Sequence, residues 1–214
     1  MAIDGPSYPV NLVLAGRRVL VVGGRRIAAR KAQGLVDAGA RVHVIALEVG
    51  PEMEELAARH DVVIERRGYE PGDVEGYWLA VEATGDPAVA ARVAADGEGA
   101  HVWVNAADQP EQCSVTLPAV VRQGALTVTF STGGASPAVA SWLRARAERE
   151  YGPEYAELID IVGEAREEWR RQGRSSEALD WRTLLDSGIL DDVRSGRTTQ
   201  AKERLQAWLS SSSE

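Results

Sequence analysis

Val19-Leu20-Val21-Val22-Gly23-Gly24-Arg25-Arg26-Ile27-Ala28 decides the reading of this chain. The four apolar residues at its start read as a strand buried on both faces. Two glycines break that strand, and helical spacing follows. A strand that runs into a glycine turn and then a helix is the setting in which a dinucleotide fingerprint carries meaning. Gly23 suits the tight turn and Ala28 suits close helix–strand packing. The N–H groups of the helix start, around Ile27, suit a diphosphate. The usual pattern, G-x-G-x-x-G/A, puts its second glycine where this chain has Arg25. A side chain there must point away, or the turn must use Gly24; a cation beside a diphosphate also compensates electrostatically. An acid to hold the ribose is expected about 20 residues on. Glu48, after Ala46-Leu47, stands near that place, and it is equally placed to be a solvated loop carboxylate. Arg25 or Arg26 could meet a 2′-phosphate instead, which leaves NADP open beside NAD.

Outward from this stretch, β-branched runs alternate with helical patterns. The runs are Arg18–Val22, Val42–Ala46, Val62–Glu65, Trp78–Glu82 and His101–Asn105, and between them lie Ile27–Ala38, Pro51–His60 and Pro87–Ala95. This alternation predicts an α/β fold with a Rossmann-like doubly wound parallel sheet. After Asn105 the pattern changes. Val115–Pro118 and Leu126–Phe130 read as strands flanking a short helical stretch and a turn at Gly124. A helix is expected from Pro137 to about Glu150, with Ser136 as N-cap. Everything beyond Gly152-Pro153 reads as helical. Leu158, Val162, Ala165 and Trp169 share one helix face, Ser175 or Ser176 suits the next cap, Gly188 and Gly196 end short segments, and Ser210–Glu214 reads as a frayed tail. The expected division is 1–112 for the nucleotide-binding domain, 113–150 for a small α+β region and 151–214 for a helical C-terminal domain.

The chain has 214 residues and a net charge of −8. That charge argues against general nucleic-acid binding, which needs a basic footprint, so any anion site must be local. No apolar run approaches the ~20 residues of a membrane span. Met1–Ser7 lacks the pattern of a secretory signal, so a cytoplasmic location is expected. Cys113 is the single cysteine and reads as a half-buried thiol. His43, His60 and His101 have no metal-ligand spacing, and no metal site is expected. Arg30 and Lys31 read as the solvated face of the first helix.

Several segments together resemble one family. They are Tyr8-Pro9-Val10-Asn11-Leu12, Gly16 to Gly24, Ala28-Ala29-Arg30-Lys31, Asn105-Ala106-Ala107-Asp108 and Ser131-Thr132-Gly133-Gly134-Ala135-Ser136-Pro137. In this order they are similar to the precorrin-2 dehydrogenase/sirohydrochlorin ferrochelatase family, which includes the N-terminal part of siroheme synthase. The resemblance implies NAD-dependent oxidation of a tetrapyrrole, precorrin-2, to sirohydrochlorin, with iron insertion in some members. It also implies a homodimer joined through residues 113–150. A chelatase without the oxidase step and a non-catalytic tetrapyrrole- or nucleotide-binding dimer are the alternatives.

Asp108 matches the family's catalytic aspartate, and its place after a strand suits a proton acceptor; by itself it could simply shape the Asp108-Gln109-Pro110 turn. Thr132, Gly133 and Gly134 match a segment near the family's active site. Their glycines can present N–H donors to a substrate carboxylate, and Arg122 is a further partner for such a group. Thr84-Gly85-Asp86 resembles the family's A-T-D-D segment, so Thr84 is expected beside the cofactor. Gly85 and Ala90 depart from the family pattern, as Arg25 does.

Overall fold

The computed structural model describes residues 7–175 and 179–211. Residues 1–6, the alternative cap Ser176 and residues 212–214 of the expected tail lie outside the described residues. The chain divides into two compact units: residues up to 117 together with 133–136, and residues 118–132 together with those from 137 onward.

The first unit runs β1 (Arg18–Val22), α1 (Arg26–Asp37), β2 (Arg41–Ile45), α2 (Pro51–Arg59), β3 (Val63–Glu65), β4 (Leu79–Glu82), α3 (Pro87–Ala100) and β5 (Trp103–Ala106). The strands form one parallel sheet in the order β3-β2-β1-β4-β5. Alternate side chains go to opposite faces, and both faces are covered. Val19, Val21, Val42, Val44, Leu79 and Val81 pack with Ala28, Ala32 and Leu35 of α1 and Met53 and Leu56 of α2. Leu20, Val22, Ile45 and Ala80 pack with Val93 of α3 and with Tyr69, Val74 and Tyr77 of the β3–β4 connection. This two-sided burial is why the strands read as nearly unbroken apolar runs.

Two readings need correction here. α3 extends to Ala100, beyond the expected Ala95, and β5 starts at Trp103 because His101 ends the helix in a left-handed conformation (φ 55°). Gly97 is a packing position in this helix: a Cβ there would lie 2.3 Å from Val104 Cγ2. The helix continues so that it can lie close against the sheet.

In the second unit, β6 (Ala119–Gln123) and β7 (Leu126–Phe130) form an antiparallel hairpin closed at Gly124 (φ 55°). The strand expected at Val115–Pro118 is therefore displaced, and the residues read as helical are β6 itself. Five residues with one fully buried side chain, Val121, are too short to show a period, and pairing with β7 decides their conformation. α4 (Pro137–Glu150) and α5 (Glu154–Arg171) follow. α6 (Trp181–Leu184), α7 (Leu190–Arg194) and α8 (Thr198–Ser211) complete the unit. Leu158, Ile161, Ala165 and Trp169 of α5 are buried with Leu184, Ile189, Val193, Ala201 and Leu205. Val162, expected on that stripe, is only partly buried against it. Asp192 is buried and held by Arg197 (2.8 Å) and Arg204 (2.9 Å). No described helix is long and apolar enough to cross a membrane.

Candidate active site

The strand order reverses between β1 and β4, and open α/β sheets bind ligands outside the carboxyl ends of their strands at such a point. The segments after β1, β2, β4 and β5 carry Gly23, Glu48, Thr84 and Asp108. Topology thus brings the expected cofactor and catalytic positions of the first unit to one edge.

Both glycines of the β1–α1 turn are required by their neighbours. Gly23 has φ 118°, and a Cβ there would meet Ala83 O at 2.8 Å. A Cβ on Gly24 would meet Glu48 O at 2.4 Å and Ala46 Cβ at 2.9 Å. Gly24 is therefore occupied in seating the turn against the loop after β2, and Gly50 N donates to its carbonyl (2.9 Å). Arg25 is the extended N-cap of α1 (φ −87°, ψ −178°). Its guanidinium leaves the turn and donates to Glu48 Oε2 at 2.6 Å, both side chains being largely exposed. Each partner favours the other's charged form: hydrogen bonding to Arg25 lowers the Glu48 pKa, and Glu48 raises that of Arg25. Ile27 is exposed in the first turn of α1, and Ala28 is fully buried beneath it.

The β4 side is built differently. Glu82 ends β4 with no exposed surface. Its Oε1 accepts from the backbone N–H of Thr84 (2.6 Å) and from the Thr84 hydroxyl, while its Oε2 is buried without a hydrogen-bond partner. The Thr84 hydroxyl also accepts from Asp86 N (3.0 Å). Its one proton is committed to Glu82, so Thr84 can offer an incoming ligand only an acceptor lone pair. Gly85 departs from the resembled pattern and lies at φ 82°, where a side chain is strained. Ala90 is fully buried on α3.

After β5 the chain turns sharply. Asp108 is exposed and left-handed (φ 63°), a conformation that aspartate tolerates better than most residues. The base of the turn is held from several sides. Ala107 N donates to Glu82 O (2.8 Å), and Ser114 and Val115 return their N–H groups to Val104 O. Cys113 Sγ lies 3.2 Å from Ala106 N and 3.3 Å from Ala106 O, and burial raises its pKa.

Buried Asn105 donates to Val115 O (3.0 Å) and accepts from Lys31 Nζ (3.0 Å). Lys31 is therefore not on a solvated face. It is half-buried, and desolvation lowers its pKa most, with repulsion from Arg30 adding to this and Cys113 and Asp108 opposing it. Arg30 is exposed as expected.

Lys31 and Glu82 are the two residues the sequence reading missed. For Glu82 a signal existed, a lone acid closing the apolar run Leu79-Ala80-Val81. For Lys31 there was none, because its partner lies 74 residues away. His43 meets Tyr77 through Nδ1 and approaches Glu65 (3.0 Å) through Nε2. Among the described residues no three His, Cys, Asp or Glu side chains converge on a metal position.

The remaining expected residues separate between the units. Gly133 and Gly134 belong to the first and are consecutive left-handed residues (φ 59° and 79°). Thr132 and Arg122 belong to the second, Thr132 half-buried and Arg122 exposed on β6 opposite Thr127.

Fold and edge together define a dinucleotide-binding α/β protein. A family model described as "Putative NAD(P)-binding" matches residues 10–119. Siroheme synthase of Azotobacter vinelandii is 37% identical over 198 residues, covering 92% of this chain and 43% of that protein. Siroheme synthase of Pseudomonas putida strain W619 is 36% identical over 205 residues, covering 93% and 43%. The chain thus spans less than half the length of these relatives. A solved structure, "SirC, precorrin-2 dehydrogenase", superposes with a TM-score of 0.72 at 28% identity, covering 95% of this chain and all of that one. The chain belongs to this NAD(P)-binding family, and it is similar to the siroheme synthases and to SirC.

Proposed function

We propose that the protein oxidises precorrin-2 to sirohydrochlorin, with NAD as hydride acceptor. The observation that carries this reading is Asp108, an exposed carboxylate held in a left-handed turn at the edge that also carries the β1–α1 turn. The first unit fits a dinucleotide. Gly23 leaves no room for a side chain between β1 and the end of β4, and the first N–H groups of α1 have no partner within the helix. Gly23, the α1 start around Ile27, Thr84 and Glu48 would hold it. When bound, the nicotinamide takes up the hydride. Asp108 accepts the proton that leaves with it, so that precorrin-2 loses two hydrogens as one hydride and one proton. Lys31, through Asn105, fixes the strand end from which Asp108 projects.

Gly133, Gly134, Thr132 and Arg122 are the groups we assign to the substrate's carboxylates. The reading includes a homodimer joined through the second unit. It is supported by a two-stranded hairpin with one fully buried residue and by α4, which leaves Val139 and Trp142 exposed at 47% and 57%. It also places the chain in the cytoplasm, with the nicotinamide dinucleotide pool.

The test is anaerobic incubation of the purified chain with precorrin-2 and NAD. Formation of sirohydrochlorin with one NADH per turnover is expected, and so is its loss in Asp108→Ala. An Asp108→Ala protein as active as the parent removes the aspartate from the reaction, and an inactive but folded parent removes the reaction itself.

A further inference from the structure

Glu48 lies three residues beyond the end of β2, and Arg25 occupies the loop position where a glycine is usual. Their side chains are 72% and 75% exposed, and an ion pair so exposed contributes little to stability. Yet the backbone brings the two residues together from both sides. Gly23 N donates to Ile45 O (2.8 Å), Gly50 N donates to Gly24 O (2.9 Å), and a Cβ on Gly24 would lie 2.4 Å from Glu48 O. The pair is therefore preorganised by the contact between the β1–α1 turn and the loop after β2, where the adenosine ribose of a dinucleotide lies in this fold class.

We propose that Arg25 and Glu48 form a charge-compensated selector at the ribose 2′ position, in which Glu48 specifies NAD and at the same time keeps Arg25 from a 2′-phosphate. This rests on the dinucleotide reading above and deepens it. Arg25 engages one carboxylate oxygen of Glu48, Oε2. The other oxygen is left to accept from a ribose hydroxyl, as the acid after β2 does in NAD-binding relatives of the fold. An ionised carboxylate repels a phosphate dianion, so the same oxygen that favours NAD disfavours NADP. Arg25 has the opposite chemistry. Its planar guanidinium suits a phosphate, but here it is neutralised by Glu48. Removing Glu48 takes away the repulsion and frees the guanidinium at once. The selector is thus poised to be inverted by one substitution, whereas an acid without a neighbouring arginine would only be weakened.

The experiment is calorimetric titration of NAD and of NADP into the full chain and into Glu48→Ala, Arg25→Ala and the double variant, with thermal denaturation confirming that each is folded. The parent is expected to bind NAD more tightly than NADP. Glu48→Ala should lose about tenfold in NAD affinity and gain about tenfold in NADP affinity, the loss or gain expected for one charged hydrogen bond. Arg25→Ala should bind NADP more weakly than the parent, and the double variant should lose the NADP gain. A Glu48→Ala protein that keeps the parent's preference overturns the selector, as does a double variant that keeps the gain. A parent that prefers NADP overturns it while leaving the dinucleotide reading intact. A folded parent that binds neither nucleotide overturns both.

Discussion

At the β1–β2 end of the carboxyl edge the charged groups, Arg25 and Glu48, stand mostly in solvent. At the β4–β5 end Glu82 and Asn105 are sunk into the protein, and Lys31 is half-buried with them. The difference separates two ways of building a ligand site. An exposed pair is screened and contributes little to stability, so substitutions in it come at little cost to the fold. Buried polar groups are costly unless paired, so Glu82 in β4 and Asn105 in β5 hold the backbone that leads to Thr84 and Asp108. Asp108 itself is exposed and carries none of that structural load. On the proposed reading, chemistry and stability part company at the β4–β5 end, and selectivity and stability at the β1–β2 end.

The largest effect should come from Asp108→Ala. If the aspartate is the proton acceptor, turnover falls by about 10²-fold or more, while the thermal midpoint falls only slightly, because alanine tolerates the left-handed backbone less well than aspartate. A parallel fall in stability would mean that the left-handed turn, rather than the carboxylate, had been lost. Gly24→Ala comes next. Its Cβ would enter the space of Glu48 O and Ala46 Cβ, and the expected cost is about 1–3 kcal/mol in urea unfolding, as for overpacking. An unchanged midpoint would show that the loop after β2 yields easily and that the Arg25–Glu48 pair is not preorganised.

Lys31→Met probes the buried end. It leaves Asn105 Oδ1 without its donor, and a loss of about 1 kcal/mol at neutral pH is expected. Its pH signature is sharper. Burial lowers the Lys31 pKa in the folded chain, so between that value and the unfolded value near 10.4 the unfolded chain binds more protons, and stability rises with pH. Above about 10 the Tyr69 phenol acts in the opposite direction, because burial and Asp96 raise its pKa. Unfolding curves across the alkaline window should show the Lys31 rise in the parent and its absence in Lys31→Met; identical slopes would place the lysine in water. The smallest effect belongs to Arg25→Ala, whose thermal midpoint should match the parent's. A clear shift would make the exposed pair a structural device.

Much of the first unit was legible in advance because its strands are buried on both faces. Arg18–Val22 and the parallel order around it follow from uninterrupted apolar runs and a glycine turn. β6 was not legible, since five half-covered residues show no period and their strand exists only through pairing with β7. The extension of α3 beyond Ala95 was not legible either, since Gly97 lies in the helix because it packs against Val104.

The candidate site divides in the same way. Gly23, Glu48, Thr84 and Asp108 could be placed at one edge because each follows a strand of a parallel sheet. Periodicity and turn chemistry act over a few residues, and the sequence alone therefore determined the alternation of strand and helix, the glycine turn and the carboxyl edge. Tertiary structure decided where the long side chains go. Arg25 leaves the β1–α1 turn for a partner 23 residues away, and Lys31 turns inward to one 74 residues away. Such a choice compares solvation with a partner that only the folded chain supplies.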